Sequence, residues 1–262
     1  MSNVFVRLIE LYENHGYTVQ SSLSPSHFPG FNLAEIPFTY IFRGNKQVCK
    51  GGGISMAEIY FFEALFENYK PNSLFVIGNA FGWSTLALAL LNPSSKVVAI
   101  DMCPRPEERE GINVTNTIGE KVSANVVARI GTSPNDVEAI VTSEFSNNLD
   151  FVFIDGGHTN EQLLQDFTES QKFASDKCVY VFHDVINFKM SDAFISITKK
   201  NPNFLSSFLF RTPSGMAITY SRKLAKTISP VVHCFTETEE RQKALLNERR
   251  NRATQLGKKT DS

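Results

Sequence analysis

Four stretches of the sequence place residues capable of chemistry at the ends of apolar runs. FVFIDGGH, residues 151–158, sets Asp155, two glycines and His158 behind one such run, and CVYVFHDV, residues 178–185, sets His183 and Asp184 at the end of another. VIGNAFGWS, residues 76–84, holds Gly78 and Gly82 between an apolar run and a helical pattern, and KVVAID ends on Asp101, 23 residues after Gly78. Glycine at a strand-to-helix junction lets the backbone pass close to a ligand, and the helix that follows offers free N–H groups. An acidic side chain at the end of the next strand can accept hydrogen bonds from both ribose hydroxyls of a nucleoside. In outline this is an adenosine-cofactor site. It is not the G-x-G-x-x-G of a dinucleotide fold, because Ala80 takes the second glycine position and no third glycine follows at the required spacing.

Plainer roles stand beside these. Asp155 with Gly156 and Gly157 reads equally as a turn after a buried strand, and Asp101 and Asp184 as loop caps. His158 reads as a polar residue at a helix start, and His183 as a packed strand histidine.

The elements that must position these residues follow from apolar patterning. Leu74–Gly78, Lys96–Asp101, Asn125–Ile130, Asp150–Asp155 and Cys178–Asp184 read as buried strands, with starts 22 to 29 residues apart. That spacing leaves room for a crossover helix between each pair, which makes the sheet parallel with helices on both faces. Thr159 with Gln162 three residues on marks the start of the helix behind Asp155. SSFLFRTPSGMAITYS reads as an antiparallel hairpin closing the sheet edge. The expected fold is therefore α/β, doubly wound, with a mainly parallel seven-stranded Rossmann-like sheet and a C-terminal antiparallel hairpin. The expected divisions are an aromatic-rich cover or lid over 1–50, the cofactor-binding domain over 51–222, and a helical, basic tail over 223–262. In the first, His27, Phe28, Pro29, Phe31, Pro37, Phe38, Tyr40 and Phe42 show no clear periodicity.

Composition narrows the classes. A chain of 262 residues with 42% apolar residues can bury a solid core. A net charge of −1 offers no general attraction for nucleic acid. The four cysteines lie far apart, without zinc-ligand spacing, and read as reduced structural thiols. The N-terminus suits an amphipathic helix better than a signal peptide, and no run approaches the ~20 apolar residues of a membrane span. The expectation is a soluble, cytoplasmic protein, with a solvated helix or a homo-oligomer contact in the tail from Glu240 to Lys259.

Taken together, GGGISMAEIYFFEALFENYKPNSLFVIGNAFGWSTLALALL and LDFVFIDGGHTNE resemble class I S-adenosylmethionine-dependent methyltransferases, specifically the catechol O-methyltransferase-like group and its sugar and macrolide O-methyltransferase relatives. The similarity runs from about Gly51 to Tyr220. It implies S-adenosylmethionine as cofactor, with Gly78, Asn79 and Gly82 against its methionine part, Asp101 on its ribose, and Thr132 and Ser133 lining its adenine. It implies a magnesium ion on Asp155 and Asp184. His158 stands where catechol enzymes carry a basic lysine, and its imidazole, with an ordinary pKa of about 6.5, suits the same task. The implied partner is a small-molecule hydroxyl substrate, with neither nucleic acid nor membrane. Two departures are visible: Val76 stands where the family has glutamate, and Val185 where it has the asparagine that is the third metal ligand, with Asn187 two residues further on. A cofactor-binding or scaffold protein of the same fold is the rival these departures motivate, and a nicotinamide-dependent oxidoreductase is disfavoured by the missing glycine.

Overall fold

The computed structural model describes residues 3–22, 37–49, 51–122 and 125–257. His27, Phe28, Pro29 and Phe31 of the expected aromatic cover lie outside the described residues. After α1 (Val4–Glu13) come three short strands, β1 (Thr18–Ser21), β2 (Thr39–Arg43) and β3 (Lys46–Gln47). Then follow α2 (Met56–Asn68), β4 (Ser73–Ile77), α3 (Trp83–Leu91), β5 (Lys96–Asp101), α4 (Pro106–Lys121), β6 (Asn125–Ile130), α5 (Val137–Phe145) and β7 (Leu149–Ile154). The chain continues through α6 (Asn160–Gln171), β8 (Ala174–Phe182), α7 (Ser191–Lys200), β9 (Phe204–Leu209), β10 (Met216–Ser221), α8 (Ala225–Phe235) and α9 (Glu239–Gly257).

The main sheet has seven strands in the order β6-β5-β4-β7-β8-β10-β9. β4 to β8 pair in parallel, and β10 is antiparallel to both β8 and β9. Strand order reverses between β4 and β7, and the carboxyl ends of parallel strands at such a point flank the crevice where open α/β sheets bind ligands. Gly78 lies one residue beyond β4 and Asp155 one beyond β7, so the chain brings both to that crevice.

Alternation along the strands builds two cores, one on each face. Leu74, Val76, Phe151 and Phe153 face α2 and α3, among Phe62, Phe66 and Leu86. Phe75, Ile77, Val152 and Ile154 face the other way, among Leu163, Phe167 and Phe194. Phenylalanine does much of the filling: Phe62 meets Phe153 edge to face with ring centres 5.5 Å apart, and Phe66 meets Phe151 at 5.1 Å.

Two expectations change. The segment before α2 is not wholly irregular, since β1 to β3 form a separate antiparallel sheet. Its hairpin turns at Gly44-Asn45, with Gly44 in the left-handed region that such two-residue turns require. The fifth parallel strand begins at Ala174, earlier than expected, and stops at Phe182 rather than Asp184. Asp184 itself has φ of 57°, a left-handed conformation that aspartate tolerates better than most residues, and there the chain leaves the strand.

Candidate active site

The loop between β4 and α3 is held from three sides. Gly78 donates its N–H to Ile100 O at 2.9 Å and Asp155 donates to Ile77 O at 2.8 Å, so the two strand ends are drawn together. With φ of +97°, Gly78 occupies backbone space closed to other residues, and a Cβ there would collide with the carbonyl of Asp155. Gly78→Ala is therefore expected to cost at least about 1–2 kcal/mol from the left-handed backbone alone. Thermal melting should show a lowered midpoint, and calorimetry a weakened affinity for S-adenosylhomocysteine. A variant that melts and binds like the parent contradicts the tight approach.

Asp101 Oδ2 accepts the N–H groups of Asn79 at 2.9 Å and Ala80 at 2.6 Å, so this carboxylate shapes the loop itself. The Asn79 side chain turns inward. It donates to Thr115 Oγ1 at 3.0 Å and accepts from Thr85 Oγ1 at 2.9 Å, so the amide serves the packing of the loop itself. Gly82, left-handed at +83°, caps α3 and lies against Thr115, with no room for a Cβ. Thr132 donates its backbone N–H and its hydroxyl to Asp136, and Ser133 donates its hydroxyl to Asp166.

A cavity of about 570 Å³ opens at the carboxyl ends of the strands. Gly78, Asn79, Ala80 and Asp101 line one part of it, and Asp155, His158, Asp184 and Phe188 another, with Phe38 and Tyr40 from β2 and its approach forming a wall. Gly82, Thr132 and Ser133 stand outside this lining. Cys49 also faces the cavity, and burial pushes its thiol up, so it is present as a neutral thiol.

Asp155, His158 and Asp184 converge as the strand-end positions require. One ligand atom from each lies within 4.8 Å of the others. His158 Nε2 is 3.4 Å from Asp184 Oδ2 and 3.8 Å from Asp155 Oδ1. Its ring stacks on Phe188 with centres 4.1 Å apart, which fixes the imidazole plane. Burial pushes the His158 pKa down, but Asp155 and Asp184 outweigh it, and the net direction is upward from the ordinary value. In ion-free protein, an NMR titration of His158 should therefore have its midpoint above the ordinary value of about 6.5. In Asp184→Asn the midpoint should fall, because a carboxylate that favours the imidazolium is gone; a midpoint unmoved by that change contradicts the assigned cause.

Behind these residues lies a buried chain of polar groups, of which the sequence singled out His183, as a packed strand histidine, but not Glu58. His183, 2% exposed, directs Nδ1 towards Asp155 Oδ1 at 3.0 Å and Asp184 Oδ2 at 3.4 Å, and Nε2 towards Glu58 Oε2 at 3.3 Å. Glu58, on α2, is wholly buried and also accepts from the backbone N–H groups of Ser55 at 2.8 Å and Ser214 at 3.0 Å, and from the Ser214 hydroxyl. Burial would raise the Glu58 carboxyl, but His183, Ser214 and Ser55 together hold it below the usual range. Asp155 is likewise lowered against burial by His183 and His158. Burial would depress His183, yet Asp155 and Glu58 raise it well above the usual imidazole value. The available signal was Ser55-x-x-Glu58, a capping box, with its glutamate on the same face as Ile59, Phe62 and Leu65.

Residues 75–185 match the family model described as a methyltransferase domain. Those residues carry a methyltransferase domain. The match spans the glycine loop, Asp101, Asp155, His158 and Asp184, and the resemblance drawn from the sequence holds. Against curated proteins the sequence has no match. Among solved structures, the domain is similar to an O-methyltransferase from Bacillus cereus in complex with SAH, at 18% identity and a TM-score of 0.53, covering 64% of this chain and 82% of that one. It is similar also to a Streptomyces achromogenes O-methyltransferase involved in tomaymycin synthesis, in complex with SAM, at 15% identity and a TM-score of 0.53, covering 64% and 81%. At such identities the likeness establishes the methyltransferase fold. Among the described residues, no helix of the protein is long and apolar enough to cross a membrane.

Proposed function

We propose that this methyltransferase domain transfers a methyl group from S-adenosylmethionine to a hydroxyl oxygen of a small molecule. The observation that carries the reading is that one cavity is lined both by the Gly78–Phe81 loop with Asp101 and by Asp155, His158 and Asp184. The loop and Asp101 would hold the cofactor, whose sulfonium supplies a methyl already activated for transfer. The chain then has two tasks, alignment and deprotonation. His158 receives the hydroxyl proton at Nε2, which faces the cluster, while Phe188 keeps its ring in place. Asp155 and Asp184 stabilise the imidazolium that results. Phe38, Tyr40 and Phe188 give the cavity apolar walls that exclude water from the reacting groups.

The same carboxylates fit a divalent cation: two hard oxygen donors converge from adjacent strand ends, and the buried Nδ1 of His183 between them has no hydrogen-bond partner among the described residues. Such an ion would be held by Asp155 and Asp184 and would lower the pKa of a hydroxyl brought against it. A cofactor-binding partner without turnover is the rival reading, favoured by Val76 and Val185, which lie in the two cores rather than in the cavity.

Incubation with S-adenosylmethionine and a panel of sugar, phenol and polyketide hydroxyls, read by mass spectrometry, separates the two. A gain of one methyl on an acceptor, with S-adenosylhomocysteine released, supports transfer. Cofactor binding with no acceptor methylated across the panel supports the rival.

A further inference from the structure

The metal-assisted form of this reading leaves a gap, because the family's third ligand position holds Val185, which is 0% exposed and packed into the core. We infer that His183 fills the gap: its Nδ1 completes a cation site with Asp155 and Asp184, so that the site takes a first-row transition ion such as Mn2+, Co2+ or Zn2+ in preference to Mg2+. The inference rests on the proposed use of these carboxylates and adds a ligand and a metal class to it.

Three observations carry it. The first is an orphaned atom. His183 Nδ1 is buried, and although Asp155 Oδ1 lies 3.0 Å away, the contact is off the line a ring N–H would take and forms no hydrogen bond. A buried ring nitrogen whose N–H meets no acceptor in line is costly, and an ion taking the place of that proton removes the cost.

The second is spacing. Ligand bonds of about 2.1 Å in octahedral geometry put neighbouring donors about 3.0 Å apart, and tetrahedral bonds of about 2.0 Å put them about 3.3 Å apart. His183 Nδ1 stands 3.0 Å from Asp155 Oδ1, at the octahedral spacing, and 3.4 Å from Asp184 Oδ2, just beyond the tetrahedral one. His158 Nε2 is as far from Asp184 Oδ2, at 3.4 Å, but stands further from Asp155 Oδ1, at 3.8 Å, where a base rather than a ligand is wanted.

The third is what lies behind the ring. Ligating histidines commonly give their second N–H to a carboxylate, which fixes the tautomer and raises donor strength. Glu58 is placed for this at 3.3 Å from Nε2, itself held by Ser55 and Ser214. Glu58 is thus a positioning residue, and an arriving ion takes the place of the proton on Nδ1. An imidazole donor beside carboxylates suits transition ions, whereas magnesium takes oxygen ligands and keeps its waters. Asp184 turns out of the strand in a left-handed conformation, which aims its carboxylate beside His183 while Val185 goes into the core.

The test uses the full chain stripped of ions and then loaded with Mn2+, Co2+ or Mg2+. Calorimetry should find Mn2+ and Co2+ bound more tightly than Mg2+, and pulsed EPR of the Mn2+ form should show coupling to an imidazole nitrogen. That coupling should persist in His158→Ala and vanish in His183→Asn. Glu58→Gln should weaken ion affinity about 10–100-fold. Should His183→Asn not fold, the coupling in the parent and in His158→Ala decides the matter. The inference is overturned by a folded protein that binds no ion, by Mg2+ binding as tightly as Co2+, by no nitrogen coupling in the parent, or by coupling that disappears with His158→Ala. Calorimetry of S-adenosylhomocysteine on the same samples keeps the readings apart: nucleoside binding without ion binding removes this inference alone, and absent nucleoside binding removes methyl transfer alone.

Discussion

His158→Ala is expected to lower turnover about 10²–10⁴-fold, the range for losing a positioned general base, and to leave S-adenosylhomocysteine affinity near that of the parent. The separation follows from geometry. His158 lies on the carboxylate side of the cavity, stacked on Phe188 and facing Asp184 at 3.4 Å, whereas the loop expected to hold the cofactor is built by Gly78, Ala80 and Asp101. Loss of the imidazole should therefore fall on kcat. In the parent, activity should climb as pH rises and His158 loses its proton, because only the neutral ring accepts one. The variant should lack that limb. A variant with unchanged turnover removes His158 as base, and one that loses cofactor affinity and turnover together shows a structural role.

Glu58→Ala is expected to destabilise the protein by about 3–5 kcal/mol, the range for breaking a buried ion pair from one side. The change strips His183 of its partner at 3.3 Å and leaves the Ser55 and Ser214 N–H groups without their acceptor, all in buried surroundings. With a shift of about 2–4 °C per kcal/mol for chains of roughly this size, the melting midpoint should fall by about 6–20 °C. Glu58→Gln, which keeps an acceptor, should fall by much less. A Glu58→Ala protein melting within a degree or two of the parent contradicts the buried network.

Parallel strands buried on both faces read as continuous apolar runs, which is why LFVIG, KVVAID and LDFVFID could be ordered along the chain before any coordinates. Asp155 was legible for the same reason, since a polar residue directly after such a run sits at the carboxyl edge of the sheet, while His158 and Asp184 were singled out through the family resemblance. The Glu58–His183 pair was not. Its partners are 125 residues apart, and what unites them is the packing of α2 against the end of β8, a tertiary fact with no local periodicity. A glutamate among Ile59, Phe62 and Leu65 on one helical face was the available hint. The first sheet was hidden because β1 and β3 have only four and two residues, too few to show alternation. Motif position also differs from side-chain use: Asn79 falls within the glycine loop, yet its amide serves Thr85 and Thr115.

The central claim is that the Gly78–Phe81 loop and Asp101 hold the sulfur nucleoside beside the Asp155–His158–Asp184 cluster. Calorimetric titration of the folded protein with S-adenosylhomocysteine tests it most directly, with Asp101→Ala alongside, since that change removes the loop's anchor at Asn79 and Ala80 as well as the acceptor for ribose. Saturable one-site binding in the parent, greatly weakened in Asp101→Ala, is the predicted result. A folded parent that binds neither S-adenosylhomocysteine nor S-adenosylmethionine contradicts it.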